Sequence, residues 1–199
     1  MNSKKKASFS KKEWIAAGFK ALNKSGYLSI KVEAIARQLK ISKGSFYWHF
    51  KNAAELKASM LESWVEQSTN SIIHVVEENS TKPTEQLRLL VKITSDLGAN
   101  QRDNHPFDEA AIRHWARFEP QVAKTMKQVD QARLAFVEKL FLKILTCKKE
   151  AHLKANILYA SLIGLEHLSY HNMANLENDL PKLLEMLIGS YKSTKNTEK

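Results

Sequence analysis

A chain of 199 residues with 43% hydrophobic content is long enough to bury one large core, or a small one joined to a larger one. Its 31 Lys and Arg against 21 Asp and Glu leave a formal net charge of +10, which favours polyanionic partners over acidic-seeking ones. No apolar run approaches the roughly 20 residues of a membrane span, the N-terminal stretch lacks the apolar core of a secretory signal, and the lone Cys147 offers no intramolecular disulfide, so a soluble cytoplasmic protein is expected.

The first element opens at Ser10, where Glu13 three residues on completes a capping-box pattern. Trp14, Ala17, Phe19, Ala21 and Leu22 carry this helix to Ser25, and Gly26 supplies its stop. A second helix holds Val32, Ile35, Ala36 and Leu39 at the spacing of a buried stripe. Lys40, Ile41 and Ser42 then make a turn of the length that joins the two helices of a helix-turn-helix, with Ile41 as its apolar plug.

The run from Ser42 to Phe50 reads as the third, recognition helix. The Ser42 hydroxyl is expected to take a free backbone amide of the first turn. Phe46 and Phe50, four apart, share the side that packs on neighbouring helices. Lys43, Ser45, Tyr47, Trp48 and His49 are left for the other sides, and each carries a hydrogen-bond donor. Gly44 has no side chain to hold the backbone away from a close phosphate. Tyr47 and Trp48 would be costly as idle surface, so a DNA-reading edge is the better account of them.

Charge distribution leads to the same place. The first 52 residues contain 12 Lys and Arg and 2 Asp and Glu, whereas the remainder balances at 19 of each. A basic patch of this kind is the footprint of phosphate binding and predicts affinity that falls steeply with salt. A membrane-surface helix would instead show one long apolar face. The Lys4-Lys5-Lys6 run is an arm that either tracks phosphates or is simply solvated.

Beyond residue 52 the chain reads as helix throughout, over 53–79, 84–101, 106–117, 120–146, 150–173 and 179–194, which with the first three makes nine. The prolines at 83, 106, 120 and 181 all stand near expected helix starts. The fold class is therefore all-α, with a three-helix helix-turn-helix domain over 1–52 and a larger helical domain over 53–199. Leu153, Ile157, Ala160, Gly164, His167 and His171 recur at three- and four-residue spacing, and Leu183, Leu184, Leu187, Ile188 and Tyr191 line the last helix. These faces suit either a second copy of the chain or its own core. A reader of two DNA half-sites favours the dimer.

Residues 11–56 resemble the DNA-binding domain of the tetracycline-repressor (TetR) family. The pattern is carried by Ile35-Ala36, Ile41-Ser42, Lys43-Gly44, Phe46-Tyr47, His49-Phe50 and Glu55-Leu56. Lys40 stands at a turn position where many members have Gly, and must either adopt that backbone shape with a small strain or replace it. Ala53 stands where many have a phosphate-contacting Lys, a role Lys51 can take over. The resemblance implies the same nine helices, the last two pairing across a homodimer, and an unknown small-molecule effector bound by the larger domain that shifts helix 53–79. The residues expected to meet the operator are Lys31, Ser42, Lys43, Gly44, Ser45, Tyr47, Trp48, His49 and Lys51. The expected function is a sequence-specific transcriptional regulator acting as a repressor. The competing reading is a non-specific or architectural DNA-binding protein without an effector.

The stretch from His105 to Pro120, with Asp130 and Arg133 after it, is similar to a recurring segment in one branch of such regulators. Pairing of Asp130 or Glu119 with Arg113, Arg117 or Arg133 would lock helix to helix, because half-buried Arg needs partners. Trp64, Trp115, Phe118, Phe136 and Phe141 are expected in the core. His167 and His171 have ligand spacing without a cluster to complete a site. His105, Asp108, Glu109 and His114 do not converge on one helix face. With no nucleophile elbow, phosphate-binding glycine loop or zinc signature, no enzyme, cofactor or metal is expected.

Overall fold

The computed structural model describes residues 9–100 and 106–194. The Lys4-Lys5-Lys6 run and His105 lie outside the described residues, as does the side chain of Tyr191. Among the described residues nine α-helices follow one another: α1 Lys11–Ser25, α2 Val32–Gln38, α3 Ala53–Val65, α4 Ser71–Asn79, α5 Pro83–Asn100, α6 Glu109–Ala116, α7 Pro120–Leu142, α8 Lys148–Ser169 and α9 Leu176–Thr194. No strand occurs among the described residues, and none of their helices is long and apolar enough to cross a membrane. By packing, the chain forms two compact units, Met1–Val65 with Pro106–Thr125, and Glu66–His105 with Met126–Lys199.

The first unit is built on aromatic side chains. Trp14 of α1 meets Phe46 edge-on at 5.2 Å, and Phe46 stacks on Phe50 at 5.2 Å. Phe19 receives the edge of Phe107 at 4.6 Å, so the segment leading into α6 belongs to the same core. The backbone of α1 comes so near α3 that a Cβ at Gly18 would lie 2.6 Å from Met60 Sδ. Trp64 and Trp115 are fully buried here, as expected, but Phe118 is 53% exposed and stacks on Tyr27 at 4.9 Å instead of entering the core. Position explains this: Phe118 follows the end of α6, beyond the helical face that buries Ile112 and Trp115.

In the second unit α9 buries Leu176, Leu180, Leu184 and Ile188, one every four residues, against Leu87 and Val91 of α5 and Ala151, Ala155 and Leu158 of α8. Phe136 and Phe141 of α7 close the same core. α9 begins earlier than its proline suggests. Asn175 accepts from Asn178 N at 3.1 Å and its own N–H reaches Asp179 at 2.9 Å, a cap that starts the helix at Leu176 and leaves Pro181 inside it. Asp108 caps α6 in the same way, through Ala111 N at 3.2 Å, so Pro106 lies ahead of the helix and not in its first turn.

The expected single helix over 53–79 is interrupted by a π-helical segment, Glu66–Asn70, between α3 and α4. Such a turn loosens the ladder and needs outside partners. Arg133 of α7 supplies them, donating to Ser68 O at 3.1 Å and Thr69 Oγ1 at 3.0 Å. Tyr159 donates to Asp130 at 2.6 Å and accepts from Arg133 at 3.4 Å, so the acid and base of α7 are linked through a tyrosine of α8. Glu119 takes Lys57, and Arg113 reaches Glu109 at 2.8 Å within α6.

Candidate nucleic-acid interface

Local hydrogen bonding sets the reader's geometry. At α1 both halves of the capping box form, with Ser10 N 2.7 Å from Glu13 Oε2 and Glu13 N 3.3 Å from Ser10 Oγ. The Ser10 N–H, and the Ser10 hydroxyl at 2.9 Å, both donate to the Glu13 carboxylate and hold its pKa below the ordinary value. Gly26 ends the helix at φ 74°, ψ 176°, with its N–H on Leu22 O at 2.8 Å, a backbone shape essentially reserved for glycine.

α2 ends in a Schellman arrangement: Ile41 N donates to Ala36 O at 3.0 Å and Lys40 N to Arg37 O at 3.1 Å. Lys40 holds the left-handed position at φ 56°, the strain expected of it. The chain turns through a half-buried Ile41 and an extended Ser42 into the recognition element.

That element, Lys43–Trp48, is wound as 3-10 turns. Ser42 makes no side-chain cap, contrary to expectation; Ser45 instead sends both its N–H, at 3.1 Å, and its hydroxyl, at 3.0 Å, to Ser42 O. This doubled bond pulls the first turn tight, and Gly44 gives the α form little support. Phe46 and Phe50 are buried at 0% and 2% exposure, whereas Tyr47 and Trp48 stand out at 54% and 77%. Lys31, Ser42, Lys43, Gly44 and Lys51 are exposed and Ser45 is half-buried.

His49 departs from the expected open edge. It is half-buried, and its Nε2 lies 2.6 Å from the Phe9 carbonyl oxygen, so the ring pins the approach to α1. Two residues escaped the sequence reading. Asn52 caps α3 by accepting from Glu55 N at 3.0 Å while the Glu55 carboxylate takes Lys51 N at 2.6 Å. Glu33, in the first turn of α2, sits 2.5 Å from Lys43 Nζ. The Asn52 and Glu55 spacing signals a cap; the Glu33–Lys43 pair spans the turn and has no local signature.

Residues 15–60 match the family described as bacterial regulatory proteins, tetR family. The chain carries a TetR-family DNA-binding domain. Over 90 residues the chain is 28% identical to the transcriptional regulator AcuR of Cereibacter sphaeroides, a match spanning 45% of this chain and less than half, 41%, of that protein. The likeness in fold to solved structures extends further than the matched domain. A transcriptional regulator from Rhodococcus sp. Rha1 aligns over 94% of this chain and 97% of its own at a TM-score of 0.71 and 21% identity. FadR of Bacillus subtilis, solved with stearoyl-CoA, aligns over 90% and 98% at a TM-score of 0.66 and 14% identity.

No group of three or more His, Cys, Asp or Glu able to hold a metal occurs among the described residues. His167, in the last turn of α8, and His171, in the turn that follows, do stand together, both exposed, with ring centroids 5.8 Å apart.

Proposed function

We propose that the protein is a one-component transcriptional regulator, a cytoplasmic homodimer that represses by occupying an operator and is released by a small-molecule effector. The supporting observation is the outward Tyr47–Trp48 pair, carried on an element whose Phe46 and Phe50 are locked in the core of a strongly basic domain. In this reading residues 1–52 bind DNA and 53–199 bind effector and partner. Lys43, Ser45, Tyr47 and Trp48 enter the major groove, while Lys31, Ser42, Gly44 and Lys51 meet phosphates. His49 acts on binding by holding the lead into α1 against the reader through Phe9.

The dimer draws support from α8, where Leu153, Ile157 and Leu168 are 57%, 37% and 39% exposed and a Cβ at Gly164 would meet nothing within 4 Å. A two-fold dimer would match the two half-sites of a palindromic operator. The effector is supported by FadR, a protein of similar fold solved in complex with stearoyl-CoA. An effector here would act by favouring a state with weaker operator binding, for which a coupling of about 1–3 kcal/mol suffices.

Enrichment of duplexes from a random-sequence library, followed by salt titration of the selected and scrambled duplexes, tests the reading. A regulator selects one palindromic sequence and loses affinity steeply with salt. Equal retention of all sequences would instead establish the architectural alternative.

A further inference from the structure

The first 52 residues hold two carboxylates among 12 basic residues. Glu13 is engaged at the start of α1, where it accepts from both the N–H and the hydroxyl of Ser10. Glu33 reaches across the helix-turn-helix to Lys43, the first residue of the recognition element, at 2.5 Å. Both partners are exposed, at 66% and 48%, so the pair adds little to stability. Its consequence is what it does to the lysine.

A surface lysine is a flexible point charge with three rotatable donors, suited to following phosphates on any duplex. With one N–H held by Glu33, the Lys43 ammonium keeps two donors and a preferred direction, and the carboxylate raises its pKa above the ordinary value. In helix-turn-helix docking the first helix crosses the sugar-phosphate backbone while the start of the second reaches base edges. A carboxylate in the first turn of α2 therefore opposes phosphate, and a lysine at residue 43 stands where bases are read.

We propose that Glu33 is a specificity-determining residue, which presents Lys43 to acceptors on a base edge, such as guanine O6 and N7, and keeps it from serving as a phosphate clamp. The proposal rests on the operator-binding reading above. It makes Glu33 a positioning residue: it acts through Lys43 and costs the protein non-specific affinity in exchange for discrimination.

The test is Glu33→Gln in the full chain, with binding measured by fluorescence anisotropy across a salt series. One duplex is that enriched by the unaltered protein and the other a scramble of it. Binding to the scramble should tighten about two- to fivefold, with its salt slope steeper by about 0.9, as one further phosphate is neutralised. The selected duplex should gain less or lose affinity, so discrimination falls. In a Lys43→Met background the same substitution should leave discrimination unchanged. Equal tightening on both duplexes, matched by Glu62→Gln at an exposed position of α3, would reduce Glu33 to bulk charge and overturn the proposal; so would an undiminished effect without Lys43. Absence of discrimination by the unaltered protein would overturn the operator reading itself.

Discussion

Replacing Lys40 with glycine should make the protein more stable. Lys40 occupies the left-handed position that closes α2, at φ 56°, with Lys40 N and Ile41 N both bonded to carbonyls of the last turn. An L-residue pays roughly 1–2 kcal/mol for that backbone shape, while glycine forfeits about 0.5–1 kcal/mol through its freer unfolded chain. The difference leaves Lys40→Gly more stable by about 0.5–1 kcal/mol, or about 1–4 °C in the melting of a chain this size. Lys40→Ala is the control, because it removes the same exposed charge and keeps the strain. Thermal denaturation followed by circular dichroism at fixed salt separates them. A melting temperature equal to that of the alanine variant, or below the parent's, would show that the left-handed residue is not strained and refute the argument.

The other expectations concern the reader and its supports. Tyr47→Ala and Trp48→Ala should each weaken binding to the selected duplex by about 1–3 kcal/mol where the lost contact reads a base, with no change in melting because both side chains are exposed; a substitution that lowered stability instead would place that residue in the core. His49→Ala should both weaken DNA binding and cost about 0.5–1.5 kcal/mol of stability through the lost bond to Phe9, read by denaturant unfolding. Gly26→Ala, where φ is positive and no neighbour would touch the new methyl, should cost about 1–3 kcal/mol through backbone strain alone. The Glu13 carboxyl binds its proton less readily when folded, so its stabilising effect is present above its ordinary value of 4.5 and is lost as pH falls through its depressed folded value. Glu13→Gln should flatten the acid limb of the pH–stability curve, and an unchanged limb would dissociate the capping box from it.

Much of the reader was legible in the chain because its signals are local. Ser10 and Glu13, Gly26, and the stripe of Val32, Ile35 and Ala36 each act within a few residues, so spacing and residue type suffice to place them. The outward Tyr47 and Trp48 follow from Phe46 and Phe50 being four apart. Where local signals competed, one was misread: Pro181 suggested a helix start, but Asn175 caps α9 earlier and the proline is tolerated in its second turn.

Sequence alone determined an all-helical chain with its positive charge and its aromatic edge gathered in the first 52 residues, since periodicity, caps and charge are properties of neighbouring positions. Tertiary structure decided the π turn at Glu66–Asn70, the tether of His49 to Phe9, and the seizure of Lys43 by Glu33. Each of these joins groups brought together by folding, with Arg133 more than 60 residues from the turn it holds. A hydrogen bond between positions so distant leaves no periodic trace, because the chain between them and not their spacing sets whether they meet.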